Sequence, residues 1–102
     1  MIEFDGKRYE LKYNLKRVEL MENATNTSLM SAMSAGKGML SISILKAYCA
    51  YGLREEGADD FINPSMGIDI AEALIENEGY PLVYSETVGA IERDCPFFFQ
   101  GA

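Results

Sequence analysis

Asp5-Gly6 constrains the start of this chain more than any other feature. It separates two runs in which apolar and charged residues alternate, Ile2-Glu3-Phe4 and Tyr9-Glu10-Leu11-Lys12-Tyr13. A two-residue type I′ turn needs positive φ at both central positions. Asp-Gly supplies that at low steric cost, so residues 1–13 are predicted to form a β-hairpin. One face of the hairpin is apolar. A lone two-stranded hairpin is marginal in water, so this face must dock on helices or pair with another chain.

Beyond Tyr13 the apolar spacing changes from two to between three and four. Asn14 is a good N-cap for a helix over Leu15 to Ala24, with Leu15, Val18 and Met21 as its apolar positions. A short helix is expected from Ser28 to Met33, with Leu29, Met30 and Met33 apolar. Ser34-Ala35-Gly36-Lys37-Gly38 breaks the pattern. Residues 39–53 are the most apolar stretch: Leu45, Tyr48, Cys49 and Gly52 share one face, and Ile44, Ala47 and Tyr51 widen it. So wide an apolar surface predicts the central helix of the core. Gly52 either permits close packing or begins the helix end. Residues 54–60 read as a polar break, with Phe61 and Ile62 as anchors. A helix is expected over Met66 to Asn77, with Ile70, Ala71, Leu74 and Ile75 inward and Gly79 as its C-terminal cap. Pro81 suits the first turn of a last helix, which Pro96 stops. Tyr84, Val88, Ile91 and Cys95 mark its buried stripe. The expected fold is therefore mainly α (α+β): an N-terminal β-hairpin packed on a bundle of four to five short helices. The whole chain, 1–102, reads as one domain with a hairpin (1–13), a helical bundle (14–95) and a C-terminal tail (96–102).

Bulk composition supports an ordered domain. The 102 residues are 48% apolar and 25% charged, enough apolar surface to offset the entropy of ordering one core. The net charge of −7 is unevenly placed. Residues 1–22 balance, residues 23–52 carry +2, and residues 53–102 carry eleven acids against Arg54 and Arg93. An acidic second half repels phosphate backbones and anionic lipid surfaces, so neither nucleic acid nor membrane is an expected partner. The start lacks the basic and apolar regions of a signal peptide, and no apolar run approaches about 20 residues. A cytoplasmic location is expected, where Cys49 and Cys95 stay reduced. Cys49 reads as a small core residue.

Chemistry is poorly represented. The chain has no histidine, which removes the usual general base, the commonest metal ligand and any Ser–His or Cys–His nucleophile. Two cysteines match no zinc spacing. Gly36-Lys37-Gly38 fails the phosphate-loop pattern, because Ser31 stands where Gly is needed and Gly38 where Ser or Thr is needed. Asp59, Asp60 and Asn63 lack the alternation and closing Glu of a calcium loop. The acids Glu55, Glu56, Glu76 and Glu78 read as solvated surface. No catalytic, cofactor-binding or metal-binding residue is expected. Phe97-Phe98-Phe99 is the unusual feature: three consecutive aromatics cannot all point inward. They are the candidate partner-binding residues, aromatics being enriched at interface hot spots. A tail folded back on the domain is the alternative.

The opening Phe4-Asp5-Gly6-Lys7-Arg8-Tyr9-Glu10-Leu11-Lys12-Tyr13-Asn14-Leu15-Lys16 resembles the start of tail-assembly chaperones from phages and prophages of Gram-positive bacteria. So does the layout after it: a Leu-Lys-Arg-Val-Glu-Leu helix, a Ser-rich link, a helix ending Tyr51-Gly52-Leu53, an acidic loop and two short helices. The similarity covers most of the chain as a pattern of apolar positions and turns. It implies a non-enzymatic protein that coats the tape-measure protein and keeps it soluble while tail-tube subunits assemble around it. Tail-tube protein and weak self-association are further implied contacts. Many members of that family exist in two lengths through a ribosomal frameshift. Phe97-Phe98-Phe99 requires a T-rich coding run, a possible slippery site. Two other readings stay open: a phage structural component, such as a head–tail connector or tail-completion protein, and a small acidic regulatory binding protein.

Overall fold

A computed structural model describes residues 2–35 and 39–98. Gly36-Lys37-Gly38 and Phe99 lie outside the described residues.

The hairpin forms as its turn chemistry requires. Strand β1 (Ile2–Phe4) pairs antiparallel with β2 (Lys7–Leu11), Ile2 opposite Tyr9 and Phe4 opposite Lys7. Asp5 and Gly6 have φ of 53° and 79°, both positive as type I′ demands. The hairpin is not two-stranded in the fold. Leu53, expected at the end of the apolar stretch, and Arg54 and Glu55, expected as the start of the polar break, form a third strand, β3 (Leu53–Glu55), antiparallel to β2 with Leu11 opposite Leu53 and Tyr9 opposite Glu55. The sheet order is β1-β2-β3. This strand supplies the partner that a marginal hairpin lacks. It escapes a sequence reading because Arg54 and Glu55 are charged and three residues carry no legible period.

Five α-helices are seen among the described residues: α1 (Leu15–Thr25), α2 (Leu29–Ala35), α3 (Ile42–Gly52), α4 (Pro64–Glu78) and α5 (Tyr80–Asp94). Their ends follow capping chemistry. Asn14 Oδ1 accepts the Arg17 N–H at 2.8 Å, and Ser41 Oγ accepts the Ile44 N–H at 3.2 Å. Asn63 Oδ1 accepts the Ser65 N–H at 2.8 Å, and Pro64 occupies the first turn of α4. Helix α4 therefore begins two residues before the expected Met66. Gly79 takes φ of 93°, ends α4 and lets α5 begin at once.

Helix α3 is the hub. It packs against α1, α4 and α5, with Leu45, Tyr48, Cys49 and Ala50 fully buried. Removing a side chain the size of Leu45 from water contributes roughly 1.5–3 kcal/mol. Two glycines set how closely its neighbours approach. A Cβ on Gly67 of α4 would lie 2.8 Å from the Ala50 carbonyl, so only glycine lets the helices meet there. A Cβ on Gly52 would overlap the ring of Tyr13. That ring lies across the end of α3, and its hydroxyl donates to the Tyr48 carbonyl at 2.7 Å. The Gly52 carbonyl accepts the Lys12 N–H at 2.8 Å, and β3 follows without a linker.

One core cluster runs from Ile2 to Cys95. Not every apolar position is interior: Ile75, expected inward, is half-buried. Leu15 is 63% exposed, because at the first position of α1 it points away from the α1–α3 seam. Tyr84 is half-buried, stacked on Tyr80 with centroids 5.9 Å apart, while Val83 and Thr87 take the buried positions beside it. No helix of the described residues is long and apolar enough to cross a membrane.

Candidate partner-binding surface

The aromatic tail divides as steric limits require. Pro96–Phe98 form a 3-10 turn that caps α5. Phe98 packs against the core, whereas Phe97 is 50% exposed, with its ring centroid 4.9 Å from that of Phe98. Of the three candidate binding residues, one is thus an anchor and one is presented outward. Nothing here bears on Phe99.

Other large apolar side chains are also exposed: Met30, Met39, Ile42, Met66 and Leu82. Met39 and Ile42 flank Leu40, whose backbone is held at the start of α5. The Tyr80 hydroxyl accepts the Leu40 N–H at 2.8 Å and donates to the Leu40 carbonyl at 2.6 Å. One phenol thereby satisfies both polar groups of a buried residue. Leu82 follows two residues after Tyr80. The methionines split: Met21 is wholly buried and Met33 half-buried, whereas Met30 and Met39 face outward. Among the described methionines, only Met30 and Met39, together with exposed Met66, can serve as an adaptable surface.

A groove lies between β2 and one stripe of α5. Its volume is about 460 Å³, and Ile2, Tyr9 and Leu11 meet Ser85, Gly89 and Ala90 across it. Glu10, Lys12, Glu56, Glu86 and Arg93 also line it. Arg93 spans one end: Nη2 donates to the Leu11 carbonyl at 2.6 Å, and Nε donates to Asp94 Oδ1 at 2.8 Å. Asp94 Oδ2 also accepts the Tyr13 N–H at 2.9 Å. The hydrogen bonds from Arg93 hold the Asp94 carboxyl below the ordinary carboxylate range, helped by the Tyr13 amide. This clasp joins the end of β2 to the end of α5. No periodicity pointed to the groove, although Gly89 inside a helix was a usable signal.

Reactive chemistry is held back by burial. Desolvation pushes the Cys49 thiol up to about 12 and also raises Cys95. Both cysteines are buried and unpaired with each other, so neither presents the thiolate that nucleophilic attack or metal ligation requires. Asp59 and Asp60 are exposed, Asn63 is spent on capping α4, and no metal-holding cluster occurs among the described residues. Arg17 is a structural cation. Its Nε donates to the Tyr51 carbonyl at 2.7 Å, and its guanidinium lies 4.1 Å from the centroid of Phe61. That contact explains why Phe61 anchors the segment after β3.

No family model matches the chain, and neither a curated protein nor a solved structure matches it.

Proposed function

We propose that this chain is a tail-assembly chaperone of a phage or prophage of Gram-positive bacteria, acting in the host cytoplasm by covering the tape-measure protein. The resemblance of residues 4–16 and of the helix layout motivates the reading. The observation that carries it is the outward Phe97, fixed by its core-packed neighbour Phe98 on a chain whose second half is strongly acidic. A tape-measure protein exposes long apolar helical stripes before the tube encloses it. Exposed Phe97, Met39 and Ile42 offer apolar cover, and the acidic remainder keeps coated filaments apart by charge repulsion. Contacts of this size are individually weak, which suits a cover that tube subunits must displace. Many copies on one filament gain avidity through weak lateral self-association. Such a role needs no catalytic group.

The test is co-expression with the long coiled-coil-like protein encoded nearby, followed by a pull-down. The reading expects that protein to become soluble and to co-purify with many copies of this chain. Continued insolubility beside a folded chaperone overturns it. Recovery of this chain in purified virions favours the structural-component reading. Phe97→Ala should weaken capture about tenfold or more, as loss of an aromatic hot spot does, while leaving the melting temperature nearly unchanged. Phe98→Ala should lower the melting temperature.

A further inference from the structure

Helix α2 is lightly held. It is seven residues long and carries no charged side chain. A helix this short does not hold itself in water, so packing must supply its stability. Yet α2 packs chiefly on α1, whereas α3 is enclosed by α1, α4 and α5. Leu29 and Ala32 are buried and Met33 is half-buried, while Met30, Ser31 and Ser34 are exposed. Two side chains fasten the segment from outside. Glu22 Oε2 of α1 accepts the Leu29 N–H at 2.8 Å, and beyond α2 the Tyr80 hydroxyl holds both backbone groups of Leu40. The Glu22 carboxylate also lies near Tyr48: burial, and then this charge, push the Tyr48 phenol up to about 12. The Tyr48 hydroxyl is buried with no hydrogen-bond partner among the described residues. A phenol buried that way is desolvated without compensation, a penalty that water relieves when the corner between α1 and α3 opens.

We propose that α2 is a detachable cover: it leaves the corner of α1 and α3 as a unit while the rest of the fold stays closed, and an uncharged apolar helix of a protein partner takes its place. The occupant is read from the resident. A surface that seats Leu29 and Ala32, three positions apart with methionines beside them, fits a second helix with large and small apolar residues at that spacing. Tyr48 and Met21, an aromatic and an adaptable methionine, are wholly buried at this corner and become available when it opens. Apparent affinity for the occupant scales with the fraction of open molecules, so loosening α2 strengthens binding. The inference does not depend on the chaperone reading.

Hydrogen exchange on the ¹⁵N-labelled full chain should show the Ala32 and Met33 amides exchanging about a hundredfold faster than those of Tyr48 and Cys49, through an opening of their own. The probe is a capped peptide that carries the Leu29–Ala35 sequence twice, with lysine at the outward serines. At millimolar concentration it should shift the Met21 and Tyr48 amides and release the resident Ala32 amide to free exchange. Glu22→Ala unfastens α2, and should speed Ala32 exchange and tighten peptide binding about tenfold each. Glu22→Gln keeps an acceptor and should restore most of the difference. Leu29→Val, with a smaller anchor, should act in the same direction as Glu22→Ala and carries the test if that variant does not fold. Ile70→Val, a mild core change in α4, should lower the melting temperature without tightening binding. Exchange of Ala32 only together with α3 overturns the inference. So does a peptide that shifts neither amide, an Ala32 amide that stays protected in the complex, loosened variants that bind no tighter than wild type, or equal tightening by Ile70→Val.

Discussion

The two edges of β2 are built in opposite ways. On one side stands β3, delivered directly by the end of α3 and secured by contacts far apart in sequence. These are Arg54 Nε on Glu10 Oε2 at 2.8 Å and the Lys12 N–H on the Gly52 carbonyl, backed by a local bridge from Arg54 to Phe61. On the other side stands β1 (Ile2–Phe4), local to its turn, and an arginine side chain, Arg93, donates to the Leu11 carbonyl of β2. Long-range packing thus closes the β3 edge, whereas a two-residue turn alone delivers the β1 edge.

The sharpest way to break this contrast is Gly52→Ala. The added methyl overlaps Tyr13 and strikes the closed edge at its origin. The expected loss is about 3 kcal/mol, the upper range of overpacking, read as a lower urea midpoint. Tyr13→Phe keeps the ring and removes only the hydrogen bond to the Tyr48 carbonyl. It should cost about 1 kcal/mol. A larger loss would mean that the ring itself is repositioned.

The clasp between β2 and α5 gives a pH signature. The folded Asp94 carboxyl titrates below its unfolded counterpart. Its contribution is therefore complete above the ordinary carboxylate pKa and is lost as pH falls through that range and below. Asp94→Asn should flatten the acid limb of a stability–pH curve; an unchanged limb would remove Asp94 from the clasp. Cys49 has the opposite sense. Its folded thiol is raised to about 12, so its contribution is complete below the unfolded thiol pKa and is lost as pH rises toward 12. In the native protein at neutral pH it should resist thiol reagents until denaturant is added. The smallest effect is expected from Arg54→Ala. Its ion pair is partly solvated, with side chains 25% and 28% exposed, and should contribute at most about 1 kcal/mol.

Legibility in the sequence followed the same division. The I′ turn, the Asn14 and Gly79 caps and the central α3 face are all local or periodic, and all could be read. β3 could not, because Leu53-Arg54-Glu55 becomes a strand only when β2, more than forty positions earlier, lies beside it. Leu15 misled because periodicity does not tell a helix's first position from its interior. At the candidate surface, the aromatic triplet announced that one ring must face outward, but not which. The groove left almost no trace, since its walls come from β2 and α5, more than seventy positions apart. Only Gly89, a residue that costs helix stability without relieving a clash, hinted at it.

The direct passage from α3 into β3 also bears on the order in which the chain matures. A hairpin with a two-residue turn closes in roughly 1–10 µs. β3 must await a closure spanning over forty residues, whose entropy is repaid only once α3 is packed. On a ribosome the hairpin therefore exists before its third strand has been synthesised, and β2 is first exposed on the side that β3 later covers. Completion of the sheet then acts as a timer, reporting that the helical layer has been reached.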